Sequence, residues 1–365
     1  MSRKVFEALA EENHESIDFH YDNSTGLKAL VAIHDTSLGI ASGGTRVYNY
    51  ESIEDALADA LRLSKAMTYK NAAAGIDLGG GKAVIIGAPE DLTPQLFREY
   101  GRRLQMYKGK FSTGEDVGMS EERLKEVEKT TGNIITKDTS YETALGVVRG
   151  IEACIERLHG EPSLKEKTIA IRGYGNVGRK LARLLDEEGA KIIAVSDSQG
   201  GTVDWDGLNI EGLEKYKKEK STVSGFQGSI SNRKLLGLEV DIFSPCAVGG
   251  AINKETVSKL KCDIVAGASN NQLESPKLAK ELKERHLLYA PDFVINAGGA
   301  IAAYGEIEGL KENEVLEKVS KIRKRMKRVI RNAETENIST VEASYRIAKN
   351  TLTKAREGGS SIAVA

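Results

Sequence analysis

The feature that most constrains the fold of this chain is a glycine turn between a strand and a helix. Gly173, Gly175 and Gly178 form a GxGxxG pattern after an apolar segment at 168–172, and a helical pattern follows over 177–188. The first glycine permits a tight turn, the second lets a diphosphate approach the backbone, and the third lets the helix pack against the strand. The pattern predicts a dinucleotide-binding turn; the alternative is a glycine turn in another doubly wound protein.

The segments around this turn repeat a strand–helix–strand rhythm. Another strand is predicted at 191–196, and further buried strands at 240–243, 263–266 and 287–290. Such alternation is typical of α/β proteins, in which helices cover both faces of a parallel sheet. We therefore predict a Rossmann-type, doubly wound dinucleotide-binding domain in this part of the chain.

The residues expected to contact the dinucleotide begin with the turn itself. They are Gly173, Tyr174, Gly175, Asn176, Val177 and Gly178. Asp197 ends the next strand, 24 residues after Gly173, where a carboxylate can accept hydrogen bonds from the adenosine ribose. A carboxylate repels a 2′-phosphate and favours NAD, whereas the small donors at 195–202 would also suit NADP. NAD is the predicted coenzyme, with NADP as the alternative.

The length of 365 residues favours two domains. A helical pattern begins at Thr143 and ends at His159 and Gly160, and it marks the predicted boundary. Two helices are expected near the C-terminus, at 313–333 and at about 340–356. Trp205 is predicted to anchor its loop.

The composition excludes several classes of protein. The chain carries 52 basic and 53 acidic side chains, so its net charge is −1. Nucleic-acid binding needs an excess of positive charge, and we expect no nucleic-acid partner. No apolar stretch approaches the ~18 residues that span a bilayer, and no membrane association is expected. The basic run at 321–331 is interpreted as the solvated face of a helix, because its apolar residues keep helical spacing.

Cysteine and histidine usage bears on compartment and metal binding. The three cysteines form no CxxC pair and the five histidines no HxxxH pair. This favours free thiols in a reducing compartment and argues against a metal site. The first residues also lack the apolar core of a signal peptide. We expect a cytoplasmic enzyme without a bound metal.

Two lysines in the first part of the chain have unusual neighbours. Lys70 and Lys82 are flanked by small apolar residues, which predicts partial burial. Burial and a second nearby cation both lower the pKa of a lysine, which makes it a candidate base near neutral pH. Asp116, in a glycine-bounded loop, supplies a carboxylate. These three residues are the predicted catalytic set.

The segment 67–86 (MTYKNAAAGIDLGGGKAVII) resembles the catalytic segment of the glutamate, leucine, phenylalanine and valine dehydrogenase family, with the closest likeness to its leucine branch. Further similar blocks follow in the family's order over nearly the whole chain, at 43–46, 115–118, 245–247, 267–273 and 290–299. The stretch 194–217 is more similar to glutamate dehydrogenases.

The resemblance implies reversible oxidative deamination, in which an L-amino acid, NAD⁺ and water give a 2-oxo acid, ammonia and NADH. It implies that Lys70 holds the substrate carboxylate, that Lys82 activates water, and that Asp116 relays protons. The residues that it implies for substrate binding are Ser42, Gly43, Met67, Lys70, Gly114, Asn296 and Ala300. Those that it adds to the coenzyme site are Thr143, Cys246, Ala247 and Asn270.

The resemblance also implies an α/β fold of two domains around a cleft. Residues 1–142 are expected to form the substrate-binding and oligomerisation domain, and 143–339 the dinucleotide-binding domain. A C-terminal helix within 340–365 is expected to return to the first domain. The family forms several kinds of homo-oligomer, so a homo-oligomer is expected and its size is left open.

The side chain of the substrate is less well indicated. Glutamate dehydrogenases have a lysine directly before the Gly-Gly pair and leucine-type enzymes an apolar residue, whereas this chain has Ser42. Gly114 and Ala300, which line the side-chain pocket in this family, are both small. An apolar L-amino acid is predicted, leucine or valine first and phenylalanine next. The alternatives are a glutamate dehydrogenase and a catalytically silent dinucleotide-binding regulatory protein.

Overall fold

The computed structural model of the protein describes residues 2–358. The chain divides into two compact units. The first contains the chain as far as Lys137, together with Glu306–Glu308 and the chain from Ala348. The second contains Asp138–Gly305 and Gly309–Ile347.

The first unit is built on a mixed sheet. Its strands are Ser16–Asp22 (β1), Leu27–Asp35 (β2), Ala41–Ser42 (β3), Thr45–Tyr48 (β4), Gly79–Ile86 (β5) and Phe111–Ser112 (β6). Its first helices are Ser2–Glu12 (α1), Ile53–Ala74 (α2), Pro94–Leu104 (α3) and Glu121–Glu128 (α4). The strand order is β1-β2-β5-β3-β6, and β4 also pairs with β5. Strand β5 runs antiparallel to β2 and parallel to β3 and β4.

Helices cover both faces of this sheet. On one face, Leu30 and Val84 pack with Ala60 and Leu61 of α2. On the other face lie Phe97 and its apolar neighbours on α3. Because β5 is central and covered on both sides, a polar side chain on it is removed from water.

The second unit contains a mostly parallel sheet. Its strands are Thr168–Arg172 (β7), Lys191–Asp197 (β8), Gly200–Val203 (β9), Glu239–Pro245 (β10), Lys261–Val265 (β11) and Leu288–Tyr289 (β12). The remaining helices of the chain are Ser140–His159 (α5), Asn176–Glu187 (α6), Ile210–Lys220 (α7), Asn232–Leu235 (α8), Leu278–Glu284 (α9), Asp292–Ile295 (α10), Gly298–Ile307 (α11), Glu312–Thr335 (α12) and Thr340–Gly358 (α13).

The strand order is β9-β8-β7-β10-β11-β12. From β7 the chain adds β8 and β9 towards one edge of the sheet, and it then returns to add β10, β11 and β12 towards the other edge, so that its direction reverses between β7 and β10. All neighbours are parallel except β9, which pairs antiparallel with β8. This is the doubly wound order of dinucleotide-binding domains, whose ligands lie at the carboxyl ends of the strands beside the reversal. The predicted α/β class and the Rossmann-type domain are confirmed.

The observed break between the units and the predicted boundary differ by five residues. The prediction separates 142 from 143, which lies inside α5, whereas the first unit ends at Lys137. Helix α13 is shared between the units. Its Thr340 hydroxyl donates to the Tyr289 carbonyl oxygen of the second unit at 2.7 Å, and Arg356 near its end pairs with Asp35 of the first.

One local prediction is wrong. Trp205 does not anchor its loop, because 62% of the residue is exposed. Among residues 2–358, no helix is long and apolar enough to cross a membrane. The cytoplasmic location stays a prediction.

Candidate active site

The first unit buries Lys82 in the middle of β5. The residue is 3% exposed, and its ammonium group contacts the carboxylate of Asp116. Burial lowers the pKa of Lys82 to about 7, and the positive charges of Arg46 and Lys70 act in the same direction. A lysine with this pKa exchanges its proton near neutral pH, as a general base must.

Two glycines between β3 and β4 let the loop that carries Asp116 approach β5. A side chain at Gly43 would overlap the carbonyl oxygen of Gly81, and one at Gly44 would overlap that of Glu115. Because these backbone segments touch, the β5 strand and the 115–116 loop lie on either side of the glycine pair. This packing places Asp116 beside Lys82.

The other predicted residues of the first unit lie around the same strands. A Cβ atom at Gly43 would be 3.2 Å from Cγ of Met67, one helical turn before Lys70 on α2. Ser42 is 4% exposed in β3. The carbonyl oxygen of Gly114 accepts a hydrogen bond from the Thr45 amide at 2.9 Å. The structure therefore brings all seven predicted residues of this unit into one region.

Arg46 adds a contact that sequence reasoning missed. Its guanidinium lies 3.3 Å from Oδ1 of Asp116 and 2.8 Å from Oδ2 of Asp59. Asp59 also accepts hydrogen bonds from the Tyr50 hydroxyl at 2.7 Å and from Arg62 at 2.6 Å. Burial alone would raise the pKa of Asp59, but these three donors outweigh burial and lower it. Asp59 is thus an anionic anchor for Arg46.

The glycine turn of the second unit has the geometry that its sequence predicts. Gly173 has φ +114°, and a side chain there would meet the backbone of Cys246 and Ala247 at 2.6 Å. A side chain at Gly178 would overlap the carbonyl oxygen of Gly173. In contrast, one at Gly175 would meet nothing within 4 Å. The turn is therefore closed on the protein side and open where a ligand would approach.

Helix α6 begins directly after this opening. Asn176 and Val177 are its first residues, and Asn176 is exposed. Unpaired backbone N–H groups at a helix N-terminus favour an anion such as a diphosphate. Tyr174 is 1% exposed and packs inside the domain.

Three predicted coenzyme residues, together with Asn296 of the predicted substrate-binding set, follow the carboxyl ends of neighbouring strands. Cys246 and Ala247 follow β10, Asn270 follows β11, and Asn296 follows α10 after β12. The Asn296 amide donates to Oδ1 of Asn270 at 2.9 Å and to the Ala268 carbonyl oxygen at 3.1 Å. Its own oxygen is buried and accepts no hydrogen bond from a described residue. Buried acceptors rarely stay unpaired, so an amide donor on a ligand would fit here.

Thr143 lies where α11 begins to pack on α5. A side chain at Gly299 would be 2.7 Å from the Thr143 hydroxyl oxygen, which donates its proton to the Thr139 carbonyl oxygen at 2.8 Å. Ala300, the next residue, is half-buried. Thr143 and Ala300 thus lie on adjoining helices of the second unit.

Asp197, at the end of β8, is already bonded within the protein. One oxygen accepts from Lys217 at 2.7 Å and the Val223 amide at 2.9 Å. The other accepts from the Gln199 amide at 2.9 Å and the Thr222 hydroxyl at 3.1 Å. Burial would raise the pKa of Asp197, but these bonds, led by that from Lys217, lower it. Its charge is thus balanced by a lysine.

Cys246 lies directly after β10 and beside Gly173. Burial raises the pKa of the Cys246 thiol, and the residue is suited to packing rather than nucleophilic attack. Over residues 2–358, no three His, Cys, Asp or Glu side chains are grouped so that they could hold a metal ion.

A doubly wound dinucleotide domain in the second unit and a buried lysine in contact with an aspartate in the first unit are typical of an oxidoreductase of the dehydrogenase class. Two family models match the chain in succession. Residues 12–133 match the Glu/Leu/Phe/Val dehydrogenase dimerisation domain, and residues 135–359 match the Glutamate/Leucine/Phenylalanine/Valine dehydrogenase domain. The chain belongs to this family, and it is an NAD(P)-dependent amino-acid dehydrogenase.

Individual relatives cover nearly the whole chain. It is 40% identical to a phenylalanine dehydrogenase of Bacillus thermotolerans, over 94% of this chain and 89% of the relative. This chain is 39% identical to a leucine dehydrogenase of Geobacillus stearothermophilus, over 97% of this chain and 95% of the relative. The crystal structure of L-tryptophan dehydrogenase from Nostoc punctiforme superposes on this chain with a TM-score of 0.82 and 36% sequence identity. The match covers 96% of this chain and 99% of that structure.

Proposed function

We propose that the protein catalyses the reversible NAD-dependent oxidative deamination of an apolar L-amino acid, with leucine or valine preferred and phenylalanine next. The observation that carries the proposal is the buried Lys82, whose pKa is about 7, in contact with Asp116. The family fixes the reaction type, and the finer assignments rest on the residues of this chain.

In this proposal, the first unit performs the proton transfers. The Lys70 ammonium pairs with the α-carboxylate of the substrate. The Asp116 carboxylate takes a proton from the α-ammonium group, because only the neutral amine has the lone pair that forms an imine when hydride leaves Cα. Neutral Lys82 then accepts a proton from the water that attacks the imine carbon, which gives a carbinolamine. Asp116 returns its proton to the carbinolamine nitrogen and then takes the hydroxyl proton as the C–N bond breaks and the C=O bond forms. The protons left on Lys82 and Asp116 pass to the released ammonia and to solvent.

Arg46 is a positioning residue in this scheme. Anchored on Asp59, it holds Oδ1 of Asp116 while Lys82 contacts Oδ2. It also contributes positive charge that lowers the pKa of Lys82. The same guanidinium therefore orients the proton relay and keeps the base neutral.

The second unit fits a nicotinamide dinucleotide. The open Gly175 and the N-terminus of α6 would hold the diphosphate, and the unpaired oxygen of Asn296 would accept a bond from the nicotinamide amide. When bound, the oxidised coenzyme accepts the hydride from Cα. Thr143 and Asn270 are proposed to orient the same end of the coenzyme.

We propose NAD rather than NADP, because Asp197 keeps a carboxylate where the adenosine ribose would lie. The preference should be moderate. Lys217 balances the charge of Asp197 at 2.7 Å, which weakens the repulsion of a 2′-phosphate. Activity with NADPH should therefore be lower than with NADH but measurable.

The side chain of the substrate is proposed to be apolar. Ser42, Gly114 and Ala300 offer no cation for a second carboxylate, which argues against glutamate. The relatives named above act on phenylalanine, leucine and tryptophan, and small residues at these positions leave room for an aromatic side chain.

Reductive amination with a panel of 2-oxo acids tests the proposal. NADH absorbance would be followed with ammonia and 4-methyl-2-oxopentanoate, 3-methyl-2-oxobutanoate, phenylpyruvate, indolepyruvate or 2-oxoglutarate, each repeated with NADPH. We expect the highest kcat/KM with a branched or aromatic acid and NADH. Preference for 2-oxoglutarate would make the protein a glutamate dehydrogenase. Coenzyme binding without turnover of any acid would favour the silent regulatory protein.

The rate of oxidative deamination should depend on the protonation of Lys82. Because the neutral amine is the base and its pKa is about 7, kcat/KM should rise with pH through about 7 and then level off. Arg46→Met removes a positive charge, so it should raise the pKa of Lys82. The rising limb of the pH profile should then move to higher pH by about one unit. Arg62 contacts Asp59 but has no contact with Asp116, so Arg62→Met should move the limb less. An unmoved limb in Arg46→Met would contradict the role of Arg46.

We propose that the first unit also assembles a homo-oligomer. Strand β1 is an edge strand, and its Phe19 and Tyr21 are 54% and 61% exposed on one face. Exposed aromatic side chains on a sheet edge are typical of an interface. Phe19→Asp combined with Tyr21→Asp should lower the mass measured by light scattering to that of a monomer. Trp205→Asp, also at an exposed aromatic residue, should leave the mass unchanged; equal masses for all three proteins would place the interface elsewhere.

A further inference from the structure

The second unit contains a basic groove along α5 and α12. Its volume is about 910 Å³. The cations that line it are Arg157, Lys321, Arg323, Lys324, Arg325, Lys327, Arg328 and Arg331, and its carboxylates are Glu156 and Glu334. Eight cations therefore face two anions, although the whole chain is nearly neutral.

Both carboxylates of the basic groove are already engaged. Glu156 pairs with Arg323 at 2.7 Å and Lys327 at 2.6 Å, and Glu334 pairs with Arg157 at 2.5 Å. The cations without an ion pair to any residue in 2–358 are Lys324, Arg325, Arg328 and Arg331. The structure thus leaves four neighbouring positive charges uncompensated.

This arrangement opposes the stability of α12. Lys324 and Arg328 are four residues apart, and Arg328 and Arg331 are three apart, so like charges adjoin along the helix. Arg325 is half-buried, and its guanidinium donates to the Lys318 carbonyl oxygen at 3.3 Å. Burial lowers the pKa of Arg325, which means that its charge is poorly solvated. An anion in the groove would relieve both costs.

We propose that the basic groove binds a small polyphosphate anion, with two or more phosphate groups on one ligand. Guanidinium groups bind phosphate through paired hydrogen bonds, and a volume of this size suits a small molecule. Among the described residues that line the groove none is aromatic, so no platform exists for stacking the bases of a nucleic-acid strand. A second copy of the same surface would be repelled by its like charge.

Calorimetric titration of the full chain with tripolyphosphate tests the proposal. The chain would be saturated with NADH, so that the glycine turn does not compete for the anion. We expect a dissociation constant in the micromolar range at low salt, which weakens steeply towards about 0.15 M NaCl. The double variant Lys324→Glu, Arg328→Glu should weaken binding about 100-fold or more.

A matched double variant separates a built site from bulk charge. Lys110→Glu with Lys215→Glu makes the same change in net charge at exposed residues outside the groove, and it should change affinity less than about 3-fold. The groove variant should also keep its circular dichroism spectrum and its Tm, because it removes repulsion at exposed positions of α12. The proposal would be overturned if both double variants weakened binding equally, or if tripolyphosphate did not bind in the presence of NADH. It would also be overturned if an oligonucleotide bound to the chain and tripolyphosphate did not.

Discussion

We expect Lys82→Ala to lower kcat for oxidative deamination by about 10³-fold or more, while the affinity for NADH stays within about twofold of the wild-type value. The loss is large because a buried lysine whose pKa is about 7 is the group proposed to take the proton from water. The affinity is retained because the proposed coenzyme residues belong to the second unit, and Lys82 belongs to the first. Stopped-flow turnover and NADH fluorescence titration measure the two quantities.

Two further variants make this result interpretable. Lys82→Met keeps most of the buried volume and removes a charge from the middle of β5, so it should lose the same activity without a lower Tm. Lys110→Ala changes an exposed lysine of the same unit and should retain full activity. Turnover of Lys82→Met within tenfold of the wild type would show that another group is the base.

Much of the second unit could be predicted from local sequence signals. The strand at 168–172 was predicted with its observed bounds, because an apolar run directly before a glycine turn has one interpretation. The C-terminal helix has its predicted start, since the Ser339 hydroxyl accepts the amide of Glu342 at 3.1 Å. Such signals involve residues close in sequence, whose geometry the backbone itself restricts.

Contacts between distant segments could not be predicted in the same way. Arg46 lies in a block that resembles the family, yet nothing in its spacing connects it to Asp116, 70 residues later. That contact exists because Gly43 and Gly44 let two loops touch. The burial of Lys82 was predicted from its apolar neighbours, but the fall of its pKa also depends on Arg46.

The basic run on α12 shows a different limit. Its apolar residues keep helical spacing, and the structure buries Val319, Ile322 and Met326 as expected of an amphipathic helix. The same spacing predicts a solvated basic face, which is correct for the exposed Lys324 and Arg328. The sequence of α12 does not reveal that α5 closes one side of this face into a groove. The groove exists only through tertiary packing.

Asp116→Asn should lower kcat by about 10² to 10⁴-fold, because an amide cannot accept the proton of the α-ammonium group. It should also move the pH limb in the direction opposite to Arg46→Met. The carboxylate in contact with the Lys82 ammonium stabilises its charged form, so removing it lowers the pKa of Lys82 further. The residual activity of Asp116→Asn should therefore level off at a lower pH than that of the wild type.

The opposite shifts distinguish a tuned base from a general loss of structure. A misfolded site would lower kcat in both variants but would give no reason for the limb to move up in Arg46→Met and down in Asp116→Asn. Glu115→Gln, the same chemical change at the exposed neighbouring residue, should leave the limb in place. If Asp116→Asn moved the limb upward, the group that titrates near pH 7 would not be Lys82, and the proton path proposed for the first unit would have to begin at another residue.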